Sequence, residues 1–160
     1  MNPLALDAQL CFSLYAASRA VTAAYGPLLA PLGLTYPQYL VMLVLWEADD
    51  VSVREIGERL QLDSGTLTPL LTKLELRGLV ARERDGEDAR VVRIELTAAG
   101  RALRKKALSV PEALVCRMGA SLPAIAKLRD ELVGLTRTVR AANEAEPPLR
   151  PRAQGPVNGR

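Results

Sequence analysis

Residues 52–100 read SVREIGERLQLDSGTLTPLLTKLELRGLVARERDGEDARVVRIELTAAG. Ser52 and Glu55 form an S-x-x-E capping box, which predicts a helix from Val53. Val53, Ile56 and Leu60 then recur at helical spacing on one face. Leu62 and Asp63 break that pattern. Asp63, or Ser64 beside it, is suited to cap a second helix running to about Leu76, with Leu67, Leu70, Leu71 and Leu74 facing inward. Gly78 closes this helix. Strand alternation follows: Val80, Arg82 and Arg84 against Ala81 and Glu83, then Val92, Ile94 and Leu96 against Arg93 and Glu95. The hairpin tip is DGEDAR, and Thr97 caps another helix. Two short helices, a charged hairpin and a new helix, in that order, make a helix-turn-helix with a β-wing.

The outward face of the second helix carries Thr66, Thr68, Pro69, Thr72 and Lys73, with no carboxylate before Glu75. Hydroxyls donate and accept at base edges, and a lysine neutralises phosphate. Pro69 removes the bond to the Gly65 carbonyl and is expected to bend the first turns. Arg90, at the hairpin tip, is placed to enter a minor groove, with Asp88 two residues earlier to hold it. Arg84, on the first strand, is counted with these DNA-facing residues. Amphipathic helix pairs and charged hairpins are, each alone, mostly scaffold. Their combination in this order points to DNA.

Net charge adds little. The formal charge is +3, but residues 137–160 hold five Arg against two Glu, so the other 136 residues are neutral overall. Residues 82–93 carry four Arg and four acids. The local arrangement carries the DNA argument, not the basic balance.

At 160 residues, about half of them apolar, the chain has the size of one domain with a core. The longest apolar run, Leu40–Trp46, is too short to span a bilayer, so no membrane partner is expected. No secretory signal is recognisable. Two cysteines and no histidine leave no disulfide framework, no His-based triad and no filled zinc shell. A cytoplasmic protein without metal or cofactor is expected. Residues 143–160, rich in Pro and Gly, read as a disordered tail.

The flanks read as helical. Leu10, Leu14, Ala17, Val21, Tyr25, Leu28 and Leu32 recur every three or four residues, predicting a long helix from about Pro3 to Leu29. Thr35 and Gln38 form a second capping box ahead of a helix with Leu40, Leu43, Val44 and Trp46. A helix from Ala98 toward Met118 should bend or break at Pro111. A last helix from about Leu122 aligns Ile125, Leu128, Leu132, Leu135 and Val139. The expected class is mainly α with a small antiparallel β-wing. Residues 35–97 form the winged region, and residues 1–34 and 98–142 form a helical dimerisation region. A two-fold homodimer would set two recognition helices about one DNA turn apart.

Cys11 lies early in the first helix, where its ordinary reading is a small buried hydrophobe. Tyr15 is one turn on, within reach. Tyr25 is 14 residues on, which at 1.5 Å per residue is about 21 Å along a straight helix. Tyr25 can meet Cys11 only across a dimer interface with antiparallel first helices. Phenolic donors could support a thiolate while keeping the surroundings apolar, which suits an oxidant with an organic tail. Cys116, on a far helix, could trap a sulfenic acid as a disulfide, though its ordinary reading is also a core residue.

The pieces LDSGTLTPLL at 62–71, Asp88 and Arg90 as D-x-R, LTAAG at 96–100, and Cys11 with Tyr25 and Tyr36 resemble the MarR family of winged-helix repressors. The nearest likeness is to its OhrR-type sensors of organic hydroperoxides, over roughly residues 5–140. The resemblance implies that Cys11 is the peroxidatic sensor and that the partner subunit donates Tyr25 and Tyr36 to its sulfur. It also implies an intersubunit disulfide from Cys11 to Cys116. By the same likeness Ser64, Thr66, Pro69 and Lys73 contact operator DNA, and Arg90 enters the minor groove. The expected protein is a double-stranded-DNA-binding repressor, not an enzyme, released from its operator by organic hydroperoxide. Two alternatives stay open: a MarR-type repressor released by a small aromatic ligand with Cys11 merely core, and a thiol peroxidase. The latter has a poor case, because no general base or cation sits near Cys11.

Overall fold

A computed structural model describes residues 2–145. Residues up to Gly119 form one compact unit, and those from Ala120 form another. The first unit runs α1 (Leu10–Leu29), α2 (Tyr36–Glu47), β1 (Val51–Ser52), α3 (Val53–Leu60), α4 (Ser64–Leu76), β2 (Val80–Arg84), β3 (Val92–Leu96), α5 (Ala98–Ala107) and α6 (Val110–Met118). The described part of the second unit is one long helix, α7 (Leu122–Ala145). The mainly helical class with an antiparallel wing is the one observed.

Local chemistry explains the boundaries. The Ser52 hydroxyl accepts the Glu55 N–H and starts α3. Asp63, not Ser64, is the cap of α4. Thr97 caps α5 through the Gly100 N–H. Gln38 returns its side-chain oxygen to the Thr35 N–H at 2.9 Å, the reciprocal arm of the second capping box. α4 ends in a Schellman closure: Gly78, at φ +66°, donates to Glu75 and Leu79 donates to Leu74. The helix runs unbroken across Pro69. Pro111 falls in the first turn of α6, after a break between α5 and α6.

Two sequence expectations change. The first helix starts at Leu10, not near Pro3. Leu6–Ala8 form a separate 3-10 turn and Gln9 is extended, its side-chain amide donating to the Pro3 and Ala5 carbonyls. The hairpin is part of a three-stranded sheet in the order β1-β3-β2, because the two-residue β1 pairs Val51 with Ile94. In α2 the buried residues include Tyr39, Val41, Met42 and Leu45, while Leu43 is exposed and Leu40 only half-buried. α2 is the central helix and is covered on most of its circumference, so no narrow stripe could identify its inward side.

The core joins α2 to Ile56 of α3, Leu67, Leu71 and Leu74 of α4, and Ile94 of β3. Each such side chain contributes about 1.5–3 kcal/mol on burial. Gly100 is demanded by packing: a Cβ there would lie 2.1 Å from the Leu79 carbonyl oxygen. The same residue's carbonyl accepts the Trp46 indole N–H at 3.0 Å. Among the described residues no single helix is long and apolar enough to cross a membrane; α1 and α2 pass together by composition, but they meet at 69°. α7 extends to Ala145, into the start of the stretch read as a tail; the rest of that stretch lies outside the described residues.

Candidate nucleic-acid interface and thiol centre

α4 turns Leu67, Leu71 and Leu74 inward and leaves Ser64, Thr66, Thr68, Pro69, Thr72 and Lys73 exposed. The Asp63 carboxylate accepts both the backbone N–H and the hydroxyl of Thr66, each at 2.9 Å. These donors, the backbone one first, hold the carboxyl of Asp63 below its usual range. The start of α4 is therefore already occupied by its own anion.

Thr72 is less free than its exposure implies. Its hydroxyl donates to the Thr68 carbonyl at 3.0 Å and accepts from the Arg82 guanidinium at 2.8 Å. Arg82 also reaches the Thr68 carbonyl at 3.3 Å and lies 3.1 Å from the Glu75 carboxylate. The base of the wing is thus strapped to α4 by one side chain.

At the wing tip, Asp88 accepts from both the backbone N–H and the guanidinium of Arg90, at 3.0 and 3.1 Å. The Arg90 side chain is 91% exposed. Asp85 organises the tip by accepting the N–H groups of Glu87 and Asp88, which together push its carboxyl down. Arg93 pairs with Asp50 and Asp85. Arg82, Arg90 and Arg93 are thus all paired internally, and Arg84 is exposed beside them.

The thiols are elsewhere. Cys11, in the first turn of α1, and Cys116, near the end of α6, are both exposed, against the buried reading of each. α1 packs against α6. Tyr15, one turn after Cys11, accepts from Arg19 at 3.2 Å, and the guanidinium sits 5.5 Å from its ring centre. Tyr25 and Tyr36 are brought together, ring centres 4.8 Å apart, with Tyr39 5.7 Å from Tyr25. Burial first, then the neighbouring Tyr36 and Tyr39, push the Tyr25 phenol up to about 12. Cys11 is not in this cluster: 14 residues of continuous helix keep Tyr25 about 21 Å from it within one chain.

Sequence reasoning passed over Arg82, Asp85 and Tyr39 as site residues. Arg82 carried a signal, since it occupies the same strand face as Val80 and faces Ile94 in register, where a cation needs acceptors. Asp85 carried a local signal as the first residue of the DGED tip, where a short acid can accept the N–H groups two and three residues on. Tyr39 packs against Tyr25 and Trp46 of the folded chain and had none.

Residues 23–107 match the family model of the transcriptional regulators SarA/Rot. The chain is 45% identical over 138 residues to the organic hydroperoxide resistance transcriptional regulator of Bacillus subtilis (strain 168), covering 86% of this chain and 94% of the relative. Among solved structures, reduced AbfR bound to DNA is similar with a TM-score of 0.75 and 36% identity, over 86% of this chain and 94% of that one. Disulfide-formed AbfR is similar with a TM-score of 0.59 and 39% identity, over 82% and 92%. AbfR comes from Staphylococcus epidermidis.

Proposed function

This chain belongs to the MarR family of winged-helix transcriptional regulators, and on that premise we propose that it is a homodimeric repressor that senses organic hydroperoxides through Cys11. It is a regulator, not an enzyme. The observation that carries the sensing reading is the separation of the parts. A preassembled winged lobe stands beside an exposed thiol on α1, while Tyr25, too far down the same helix to reach that thiol, is packed against Tyr36 of α2. The sensor site is then completed by a second copy.

The reduced dimer binds a pseudo-palindromic operator. Ser64, Thr66, Thr68, Pro69 and Lys73 face the major groove, with Thr72 held by Arg82 at its edge. Arg84 meets phosphate, and Asp88 aims Arg90 at the minor groove. Residues 1–34 and 98–142 supply the dimer contacts, and exposed Leu6, Leu10, Leu14 and Tyr15 are the apolar surface offered by α1 and the turn before it. Across antiparallel first helices, Tyr25 and Tyr36 of one subunit donate to the sulfur of the other, with Tyr15 from its own chain. A phenol pushed up to about 12 keeps its proton at neutral pH and remains a donor.

The Cys11 thiolate attacks the terminal oxygen of ROOH. An S–O bond forms, the O–O bond breaks, and the alkoxide leaves as ROH with the proton released by the thiol. Sulfur gives up two electrons and the peroxide takes them. The partner subunit's Cys116 then attacks the sulfenic sulfur, forming an S–S bond and releasing water. Movement of α1 respaces the two lobes, and the DNA is released.

A gel shift of wild type and Cys11→Ser with cumene hydroperoxide, with and without dithiothreitol, tests the reading. Wild type should release DNA reversibly and Cys11→Ser should stay bound. Release of Cys11→Ser by peroxide would sink the sensor assignment. Non-reducing electrophoresis of the same samples should show a cross-linked dimer, and its absence would remove Cys116 from the mechanism.

A further inference from the structure

The recognition helix is tied by one side chain to the corner where the first helix ends. α1 passes into a 3-10 turn, Ala30–Leu32, and Gly33 at φ +64° redirects the chain into α2 at 69°. The carbonyls at the end of such a turn have no helical partner. Here the Leu32 carbonyl accepts from Arg77 at 3.1 Å, and the Gly33 carbonyl accepts from the same guanidinium. Arg77 is the C-cap of α4, and its backbone is held by the Gly78–Glu75 and Leu79–Leu74 bonds on either side of it. The corner is shaped to the guanidinium: a Cβ on Gly33 would lie 2.6 Å from an Arg77 nitrogen. Among the described residues, these are the only side-chain hydrogen bonds joining residues up to Leu34 to any residue beyond Gln38. The end of α1 and the corner also bury Leu29, Leu32 and Leu34 in the apolar core. Apolar packing is non-directional, whereas two bonds from one planar fork fix direction as well as distance.

We propose that Arg77 is a positioning residue that carries displacement of α1 to the recognition helix. This rests on the reading of Cys11 as the sensor. When α1 moves on oxidation, the corner moves with it, and the guanidinium takes the C-terminal end of α4 along. Without Arg77 the corner slides on apolar contacts and α4 keeps its DNA-binding pose.

The test uses the full chain and a duplex selected from a randomised pool on reduced wild type, with binding followed by fluorescence anisotropy. Reduced Arg77→Ala should bind that duplex within about threefold of wild type, a change smaller than the usual range of allosteric couplings. With cumene hydroperoxide, wild type should lose affinity by about tenfold or more, and Arg77→Ala by less than about threefold. Intact-mass measurement should show Cys11 oxidised equally in both. Arg77→Lys, whose ammonium lacks the fork, should fall between them. Gly33→Ala, which displaces the guanidinium, should behave as Arg77→Ala; these two variants carry the test if Arg77→Ala folds poorly. Full release of oxidised Arg77→Ala overturns the inference while leaving the sensor intact. A large affinity loss in reduced Arg77→Ala also overturns it, because Arg77 would then be a plain support for α4. If wild type keeps its DNA although Cys11 is oxidised, the sensor reading falls and this inference with it.

Discussion

α4 and α1 look alike as sequence, each an apolar stripe at helical spacing, but they end in opposite states. α4 has 13 residues and buries Leu67, Leu71 and Leu74; α1 has 20 and buries only Leu29. Around α4, caps, the Arg82 strap and the Schellman closure satisfy the chain from within. The first half of α1 leaves Leu10, Leu14, Tyr15 and Cys11 in the open. The element proposed to read DNA is complete in one subunit, and the element proposed to sense the oxidant is not. A switch can use that difference, because the unfinished element can change partners while the finished one moves as a rigid body.

The same truncation in the two helices gives the largest expected contrast. Leu71→Ala, at a position 1% exposed, should cost about 2–5 kcal/mol in urea denaturation at fixed protein concentration. Leu10→Ala, at 62% exposed, should leave the lobe's unfolding nearly unchanged and instead raise the concentration at which the dimer dissociates in sedimentation. Equal losses from both would break the comparison.

Next in size is the strap. Arg82→Ala frees Thr72 and the Glu75 carboxylate and should weaken DNA binding by about tenfold, as loss of a charge-assisted bond of roughly 1.5 kcal/mol implies. Because Arg82 is turned to α4, the salt dependence should stay that of wild type. A shallower salt slope would show that Arg82 meets phosphate itself.

Lys73→Ala and Arg90→Ala should each behave the other way. Affinity falls modestly, and the slope of log affinity against log salt drops by about one for each phosphate no longer neutralised. Unchanged slopes for both would move the DNA-facing surface elsewhere on the lobe.

The last effect appears only at alkaline pH and concerns the tyrosine cluster. The Tyr25 phenol is raised in the folded state to about 12, so the neutral form is favoured by folding. Its contribution is present below pH ~10, where unfolded tyrosine keeps its proton. As pH rises from about 10 to about 12, the folded chain holds that proton while the unfolded one releases it, and the contribution is lost. Tyr25→Phe should flatten that alkaline loss in thermal melts and remove the latest step in a tyrosinate absorbance titration. A titration that ends at ordinary tyrosine values in wild type would contradict the packing of Tyr25 against Tyr36 and Tyr39.

Much of the lobe was legible in the chain. Ser52, Thr35 and Thr97 announce helix starts because capping is chemistry between neighbours three residues apart. Gly78 announces a helix end for the same local reason. β1 escaped notice because two residues carry no periodicity, and Val51 becomes a strand only by pairing with Ile94, 43 positions away. The inward side of α2 was not legible, because a helix covered on most sides presents no polar side to read against. Among the site residues, Asp88 and Arg90 were legible as a short-range pair, whereas the grip of Arg82 on Thr72 spans ten residues and two elements.

By itself, then, the sequence determined what depends on neighbours along the chain: the caps, the helical and strand periods, the order that makes a winged helix, and the residues that carry the family likeness. Tertiary structure alone decided which polar groups are already spoken for. It committed Thr72 to Arg82 and the Leu32 and Gly33 carbonyls to Arg77, and it left both thiols at the surface. The physical reason is range: caps and periods act over one or two turns of helix, while hydrogen-bond partners and burial are assigned only when distant segments meet.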